Sequence, residues 1–186
     1  MALAEEHGFP HVRGMALVNR GWALVMLGQP AAGIPIVREG VAAVDATGAR
    51  LVRSSYLALL GAADAMEGDL RSAGRRFDDA LDEIERSGER VQEAGLLVAK
   101  NGLLAFSGRS DARTSEECLR RALDVARAQG AHLLELRAAI ALAQHYGAGA
   151  RRADARTLIA AALGAFADTH VAAPELEAAH RLLADA

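Results

Sequence analysis

The side chains best suited to metal binding or acid–base chemistry are the six histidines, and their spacing does not assemble a site. His7 and His11 lie four residues apart, but the glycine and proline between them disfavour a continuous helical face. Two other histidines lie three residues from a glutamate and could meet it on a helix surface, in the pairs His132–Glu135 and Glu177–His180. A pair supplies two ligands, whereas a zinc site needs three or four. We therefore expect no metal site and interpret these histidines as solvated surface residues.

The sequence also disfavours nucleophilic catalysis. Cys118 is the only cysteine, and its neighbours Glu116 and Glu117 would raise the pKa of its thiol rather than lower it. No serine lies in a Gly-x-Ser-x-Gly motif, and the single lysine, Lys100, does not belong to a phosphate-binding Gly-x-x-x-x-Gly-Lys motif. We expect neither an enzyme nor a bound cofactor. Cys118 is interpreted as a small apolar core residue of a reduced, cytoplasmic protein.

Three arginine pairs could form a basic stripe for an acidic partner, at positions 75–76, 120–121 and 151–152. Acids lie one turn away at 78–79 and 116–117, so i,i+3 or i,i+4 pairs on a solvated outer face are the simpler interpretation. The formal charge is −3 and charges of both signs alternate, so we expect no nucleic-acid partner. The start of the chain lacks the order of a signal peptide, and no apolar run approaches the ~18 residues of a membrane span. We expect no membrane association.

Composition indicates that helices position these side chains. Apolar residues make up 52% of the chain and aromatic residues only 4%, so burial must come mainly from Ala, Leu, Val and Ile in closely packed helices. A β-sandwich would recruit more aromatic and β-branched residues. At 186 residues the chain can bury a continuous core without a disulfide or a structural metal. We expect one all-α domain over residues 1–186.

Glycines divide the chain into four units. Gly48, Gly88 and Gly130 each follow a long helical pattern and precede another, and they lie 40 and 42 residues apart. They are typical of helix C-caps, where a left-handed residue closes the helix. The predicted units are 9–48, 49–88, 89–130 and 131–170, followed by a capping helix at 173–185. A second turn splits each unit into two helices, at 27–30, 67–69, 107–111 and 147–150, and Asp69 is predicted to cap the helix that follows it.

Small residues recur at fixed positions within the units. Gly21 and Gly61 each lie seven residues before the glycine of a mid-unit turn. In the second helices, small residues recur at Gly33 and Gly40, Ala73 and Ala80, Ser115 and Ala122, and Ala155 and Ala162. Two antiparallel helices approach closely only where their crossing lacks a bulky side chain. We predict that these positions lie at helix crossings.

The second unit resembles a tetratricopeptide (TPR) repeat most clearly. It has Leu60–Gly61 in the first helix, Gly68–Asp69 at the turn, and Ala73, Phe77 and Ala80 in the second helix. The fourth unit is similar, with Leu142, Ala143, Tyr146, Ala155 and Ala162. The units exceed the ~34 residues of the standard repeat, and glycine replaces the proline that often ends one. The resemblance implies an all-α, right-handed α-solenoid of about four antiparallel TPR-like helix pairs plus a C-terminal capping helix.

A narrower resemblance involves large bacterial signalling proteins. Residues 4–11, residues 20–24 with 33–34, and residues 134–139 with 153–156 resemble the C-terminal helical repeats of these proteins. Such proteins join a class III adenylate cyclase domain, or a DNA-binding regulator domain, to a predicted signalling ATPase. The resemblance implies a regulatory module, either complete or part of a larger cyclase or ATPase regulator.

In TPR-like arrays the first helix of each pair lines a concave groove. The corresponding positions of the first helices in this sequence are mostly apolar. The candidate partner-binding residues are Met15, Val18, Trp22, Val25, Met26, Ala58, Ala62 and Met66. Exposed apolar patches mark interaction sites, and methionine adapts to the shape of a partner. We expect Trp22 to be the leading contact. The alternative is that the long helices bury these residues in the core.

These features predict a protein- or peptide-binding scaffold. Its partner would be a separate protein or other domains of the parent chain. One alternative is a homo-oligomerisation module, in which the apolar faces of two copies form a homodimer. Another is a small-ligand sensor domain of a transcriptional regulator, if the array encloses a cavity.

Overall fold

A computed structural model describes residues 8–108, 111–147, 151–167 and 173–184 of the chain. Within these ranges lie nine α-helices and one 3-10 turn, and no strand. The helices are α1 (Pro10–Met26), α2 (Pro30–Asp45), α3 (Arg53–Met66), α4 (Leu70–Ser87), α5 (Glu93–Phe106), α6 (Ala112–Ala128), α7 (His132–Tyr146), α8 (Arg152–Gly164) and α9 (Pro174–Ala184). The predicted all-α class is confirmed.

The helices form two compact units, Met1–Glu89 with α1–α4 and Arg90–Ala186 with α5–α9. In unit 1, α1 pairs with α2 and α3 with α4. In unit 2, α5 pairs with α6 and α7 with α8, and α9 packs against α7 and α8. The predicted four pairs and capping helix are thus present, while the assignment of one domain to the whole chain stays a prediction.

The predicted mid-unit turns at 27–30 and 67–69 are confirmed by the ends of α1 and α3. Parts of the other predicted boundaries lie outside the described residues, namely 109–110, 148–150, 168–172 and 185. Asp69 caps α4 as predicted, because its Oδ1 accepts a hydrogen bond from the backbone N–H of Ser72 at 3.0 Å. Asp111 caps α6 in the same way through Thr114, at 2.9 Å.

Glycines in the left-handed region close the helices. The predicted C-cap glycines Gly48, Gly88 and Gly130 have φ values of 73°, 76° and 62°, which favour glycine over residues with a side chain. Between residues 28 and 108 such a glycine recurs every 20 residues, at Gly28, Gly48, Gly68, Gly88 and Gly108. One helix and one turn therefore form a 20-residue module, and two modules form a helix pair.

The first helix pair has a spacing that only glycine permits. Gly21 of α1 faces Gly33 of α2, and a Cβ added to Gly33 would lie 2.4 Å from the carbonyl oxygen of Gly21. A Cβ added to Gly40 would lie 2.6 Å from the backbone nitrogen of Val18 and 2.8 Å from the carbonyl oxygen of Gly14. These distances are shorter than side chains tolerate, so the backbones of α1 and α2 are in direct contact.

The other pairs use alanine, serine or a single glycine at the predicted crossings. A Cβ on Gly61 of α3 would lie 2.5 Å from the ring of Phe77 of α4. The small residues of the second helices are all buried, at Ala73, Ala80, Ser115, Ala122, Ala155 and Ala162. The predicted small-residue positions therefore lie in the packed interior of their pairs.

A buried carboxylate fixes three helices of unit 1 relative to one another. Asp64 of α3 is almost fully buried and accepts hydrogen bonds from Arg38 of α2 at 2.7 Å and from Arg76 of α4 at 2.6 Å. Its hydrogen bond raises the pKa of Arg38, which also donates to Glu67 at 2.5 Å. Removing one partner of a buried ion pair leaves an uncompensated charge, so this triad resists sliding of the helices.

Unit 2 also contains a buried carboxylate. Glu93, at the start of α5, has no exposed side-chain surface and accepts hydrogen bonds from Arg90 at 2.8 Å and from Arg121 of α6 at 2.5 Å. The prediction of i,i+3 or i,i+4 pairs on a solvated outer face is wrong for Arg76 and Arg121, because each reaches a buried acid on another helix. Arg151 likewise pairs with a distant acid, Glu116 of α6. Arg120 does form a predicted i,i+4 pair, with Glu116 at 2.8 Å.

Substitution of Gly33 tests the backbone contact. Gly33→Ala is expected to lower the free energy of unfolding by about 1–3 kcal/mol, because the new Cβ forces α1 and α2 apart. Gly102→Ala is the matched control, since no described atom lies within 4 Å of a Cβ added there, in the middle of α5. The control should gain about 0.5–1 kcal/mol from helix propensity. Urea unfolding, followed by far-UV circular dichroism, measures the free energy of unfolding of both variants. Equal changes in the two variants would contradict the backbone contact between α1 and α2.

Candidate functional site

The predicted groove residues all lie in unit 1, and burial divides them into three groups. Val18 and Val25 are buried; Trp22, Ala58 and Ala62 are half-buried; Met15, Met26 and Met66 are exposed. The two valines pack among α1, α2 and α3 and have little surface left for a partner. The methionines keep their side chains in solvent, with Met26 71% and Met66 55% exposed. The part of the candidate site that can reach a partner is therefore the methionine set.

Trp22 lies between two hydrophobic clusters of unit 1. It packs against the cluster that contains Val18, Tyr56 and Leu60. It also packs against the cluster formed by Val25, Ile34 and Ala63. Its ring therefore joins α1 to α3, and only its outer part is available to a partner.

In each helix pair, the first helix ends at a large residue that is either apolar or aromatic. Helices α1, α3, α5 and α7 end at Met26, Met66, Phe106 and Tyr146, which are spaced 40 residues apart. Phe106 is 82% exposed, the most exposed large apolar side chain among the described residues. We call these four positions the helix-end residues. The groove prediction covered only the first two units and missed Phe106, although the 40-residue offset from Met66 identifies it.

Tyr146 differs from the other helix-end residues because charged groups surround it. The guanidinium carbon of Arg151 lies 3.7 Å from the centre of its ring, a cation–π contact. Arg151 also donates to both carboxylate oxygens of Glu116 at 2.8 Å, and the Tyr146 hydroxyl lies 3.3 Å from the same carboxylate. Hydrogen bonds from Arg151 and Arg120 lower the pKa of Glu116 to about 2. Burial raises the pKa of Tyr146.

A shallow depression of about 360 Å³ adjoins this cluster, lined by Ala112, Arg113, Glu116, Glu117, Arg120 and His145. Its four charged residues are held in ion pairs, since Arg113 pairs with Glu117 at 2.9 Å and Arg120 with Glu116 at 2.8 Å. Mutual neutralisation leaves little charge to attract a ligand. We interpret the cluster as a structural tie between α6 and the α7–α8 turn.

The other candidate reactive groups are dispersed. Cys118 is half-buried on α6, with its Sγ 3.6 Å from the carbonyl oxygen of Leu97. Its thiol pKa is raised as predicted, but the cause is burial rather than the adjacent glutamates. The Nδ1 of His132 lies 4.0 Å from Glu135, while His7 lies outside the described residues. In the described part of the chain no three His, Cys, Asp or Glu side chains form a metal site.

Across the described ranges, no helix combines the length and the apolar character that crossing a bilayer requires.

Comparison with solved structures identifies the architecture. The chain superimposes on the nearly identical TPR-like repeats of a kinesin light chain-like protein from Podosopora anserina with a TM-score of 0.68 and 17% identity, covering 95% of this chain and 85% of that one. A point variant of that protein gives the same values. The fold is TPR-like. No family model matches the chain, and a search among curated proteins finds no match.

Two substitutions separate the structural and exposed parts of the site. Trp22→Ala should lower the free energy of unfolding by about 2 kcal/mol, because a large, half-buried ring is removed from two clusters. Met26→Ala should change it by no more than about 0.5 kcal/mol, because the side chain is solvated. Urea unfolding of both variants measures the difference. Similar losses of unfolding free energy in the two variants would contradict the assignment of Trp22 to the packed part of the site and Met26 to its exposed part.

Acid should weaken the Glu116 tie. Its pKa is about 2 in the folded chain and near 4.3 when unfolded, so its stabilisation is complete above about pH 5 and is lost as the pH falls towards 2. The stability difference between the wild type and Glu116→Gln should therefore shrink from pH 6 towards about pH 2.5. Glu117→Gln is the control, because its carboxylate makes one exposed pair. A stability difference between the wild type and Glu116→Gln that stays constant with pH would contradict the lowered pKa of Glu116.

Proposed function

We propose that this chain is a non-enzymatic, TPR-like scaffold that binds a protein or peptide through the exposed apolar residues of its first helices. The observation that carries the proposal is the recurrence of the helix-end residues. Met26, Met66 and Phe106 occupy the same position in three successive pairs and expose most of their surface. A residue type that only filled the core would be buried at each of these positions, so the repeated exposure favours contact with a partner in each unit taken by itself.

The chemistry of these residues suits a polypeptide partner. Methionine is flexible and polarisable, so it can adapt to different apolar side chains, and Phe106 offers a rigid anchor. The proposed partner is therefore a segment with several apolar side chains, from another protein or from other domains of a parent chain.

The cellular setting is a further part of the proposal. The resemblance of residues 20–24 and 134–139 to repeats of bacterial cyclase and ATPase regulators supports a regulatory module of a bacterial signalling protein. In such a module, occupation of the repeats would bias the output of attached or neighbouring domains. A single, half-buried cysteine suits a reducing, cytoplasmic compartment.

Selection of binding peptides tests the proposal directly. Peptides from a displayed library are selected on the full chain, and their Kd values are measured for the wild type, Met66→Gln and Phe106→Gln. At least one substitution should weaken binding about tenfold, because loss of an apolar anchor removes roughly 1–2 kcal/mol.

Ala160→Gln is the control, since Ala160 is exposed on α8 and is not a helix-end residue. It should leave the Kd unchanged. The proposal fails if no peptide is enriched, or if all three substitutions have the same effect.

A further inference from the structure

The first helix pair has an unusual charge distribution. No Asp or Glu occurs between residues 7 and 38, although the chain has 24 acidic residues. Three arginines lie in this segment, and acids elsewhere in unit 1 neutralise two of them. Arg13 pairs with Glu39 at 3.5 Å, and Arg38 pairs with Asp64 at 2.7 Å. Arg20 is exposed on α1 and makes no ion pair with any described residue.

An apolar stripe follows the exposed side of the same helix. It comprises four apolar residues, Val12, Met15, Ala23 and Met26, with the polar Asn19 in the centre; all five are exposed and separated by three or four residues, and we call them the α1 stripe. At 1.5 Å per residue it is about 21 Å long, the length of a four-turn helix. Spacing of three and four residues matches the ridges of another α-helix, as in helix-in-groove recognition.

The charged and apolar features lie side by side on α1. At 100° per residue, Arg20 projects about 60° from Ala23, at one margin of the stripe, and half-buried Trp22 lies at the other. The helix itself contains no acid that could neutralise Arg20. A covering helix would meet apolar side chains along its centre, the amide of Asn19 in the middle and a positive charge at one margin.

We propose that the α1 stripe binds an amphipathic α-helix of about four turns whose apolar stripe is flanked by Asp or Glu. This inference rests on the proposed scaffold function and specifies its partner. The carboxylates of the partner face Arg20, and a polar side chain in the centre of its stripe hydrogen-bonds to Asn19. Without that polar side chain, the covered amide would lose its hydrogen bonds to water.

Charge argues against a second copy of this chain as the occupant. Pairing α1 with α1 of another copy would bring together two helices that each carry Arg20, without an ion-pair partner among the described residues, and no acid. Like charges at such an interface disfavour association, whereas an acidic helix is attracted. Because α1 carries positive charge and no acid, it also disfavours binding of a basic amphipathic helix.

Two synthetic peptides of 18 residues test the proposal on the full chain. Both carry leucines at the stripe spacing and a central Gln, and one has Glu at its flanking positions where the other has Lys. Fluorescence anisotropy at low salt should show the Glu peptide binding about tenfold more tightly than the Lys peptide. Met26→Gln should weaken the binding of the Glu peptide without changing its charge preference.

Charge reversal supplies the decisive comparison. Arg20→Glu should weaken the Glu peptide about fivefold or more and strengthen the Lys peptide. Arg71→Glu is the matched control, because Arg71 is exposed on α4, makes no ion pair with a described residue, and gives the same change in net charge. It should leave both Kd values nearly unchanged.

Three results would overturn the inference. One is equal binding of the two peptides with no effect of Arg20→Glu. Another is no binding of either peptide while library-selected peptides bind, which would leave the scaffold function standing. The third is sedimentation showing a dimer that Met26→Gln converts to a monomer, which would make a second copy the occupant.

Discussion

Direct backbone contact between α1 and α2 is the constraint from which the arrangement of unit 1 follows. Gly21 and Gly33 leave no space between the two helices, and Gly14 and Gly40 extend the contact along the pair. Large side chains cannot enter this interface. The core is built beside this contact, where Val18, Tyr56 and Leu60 form a cluster with Trp22 packed against it, whereas Met15 and Met26 are exposed on α1.

Small apolar contacts are weakly directional, and the buried acids supply the missing specificity. Asp64 binds arginines from two other helices of unit 1, and Glu93 binds Arg90 and Arg121 in unit 2. A helix that rotated or slid by one residue would leave a charge buried without a partner, which is costly. The acids therefore define how alanine- and glycine-rich helices, which could pack in several registers, are arranged.

Features encoded by local sequence were predictable, whereas features that join distant residues were not. The C-cap glycines and the cap at Asp69 follow from the backbone needs of a helix end, so their positions alone identified four helix pairs. Asp64 and Glu93 were missed, because their partners lie on other helices and nothing in the neighbouring sequence marks them as buried. The depth of a side chain was equally hard to predict. Val18, Trp22 and Met26 share one predicted face of α1, but the approach of α2 and α3 buries the first, half-buries the second and leaves the third exposed.

The central claim is that the outer side of α1 is a surface for a partner and not merely an unpacked part of the core. Hydrogen–deuterium exchange of the full chain, with and without a saturating acidic helical peptide, tests this claim most directly. The account predicts slower exchange in the last turns of α1, around residues 23–29, with little change in α8 and α9. Unchanged exchange along α1 in the saturated complex, or protection confined to unit 2, would contradict it.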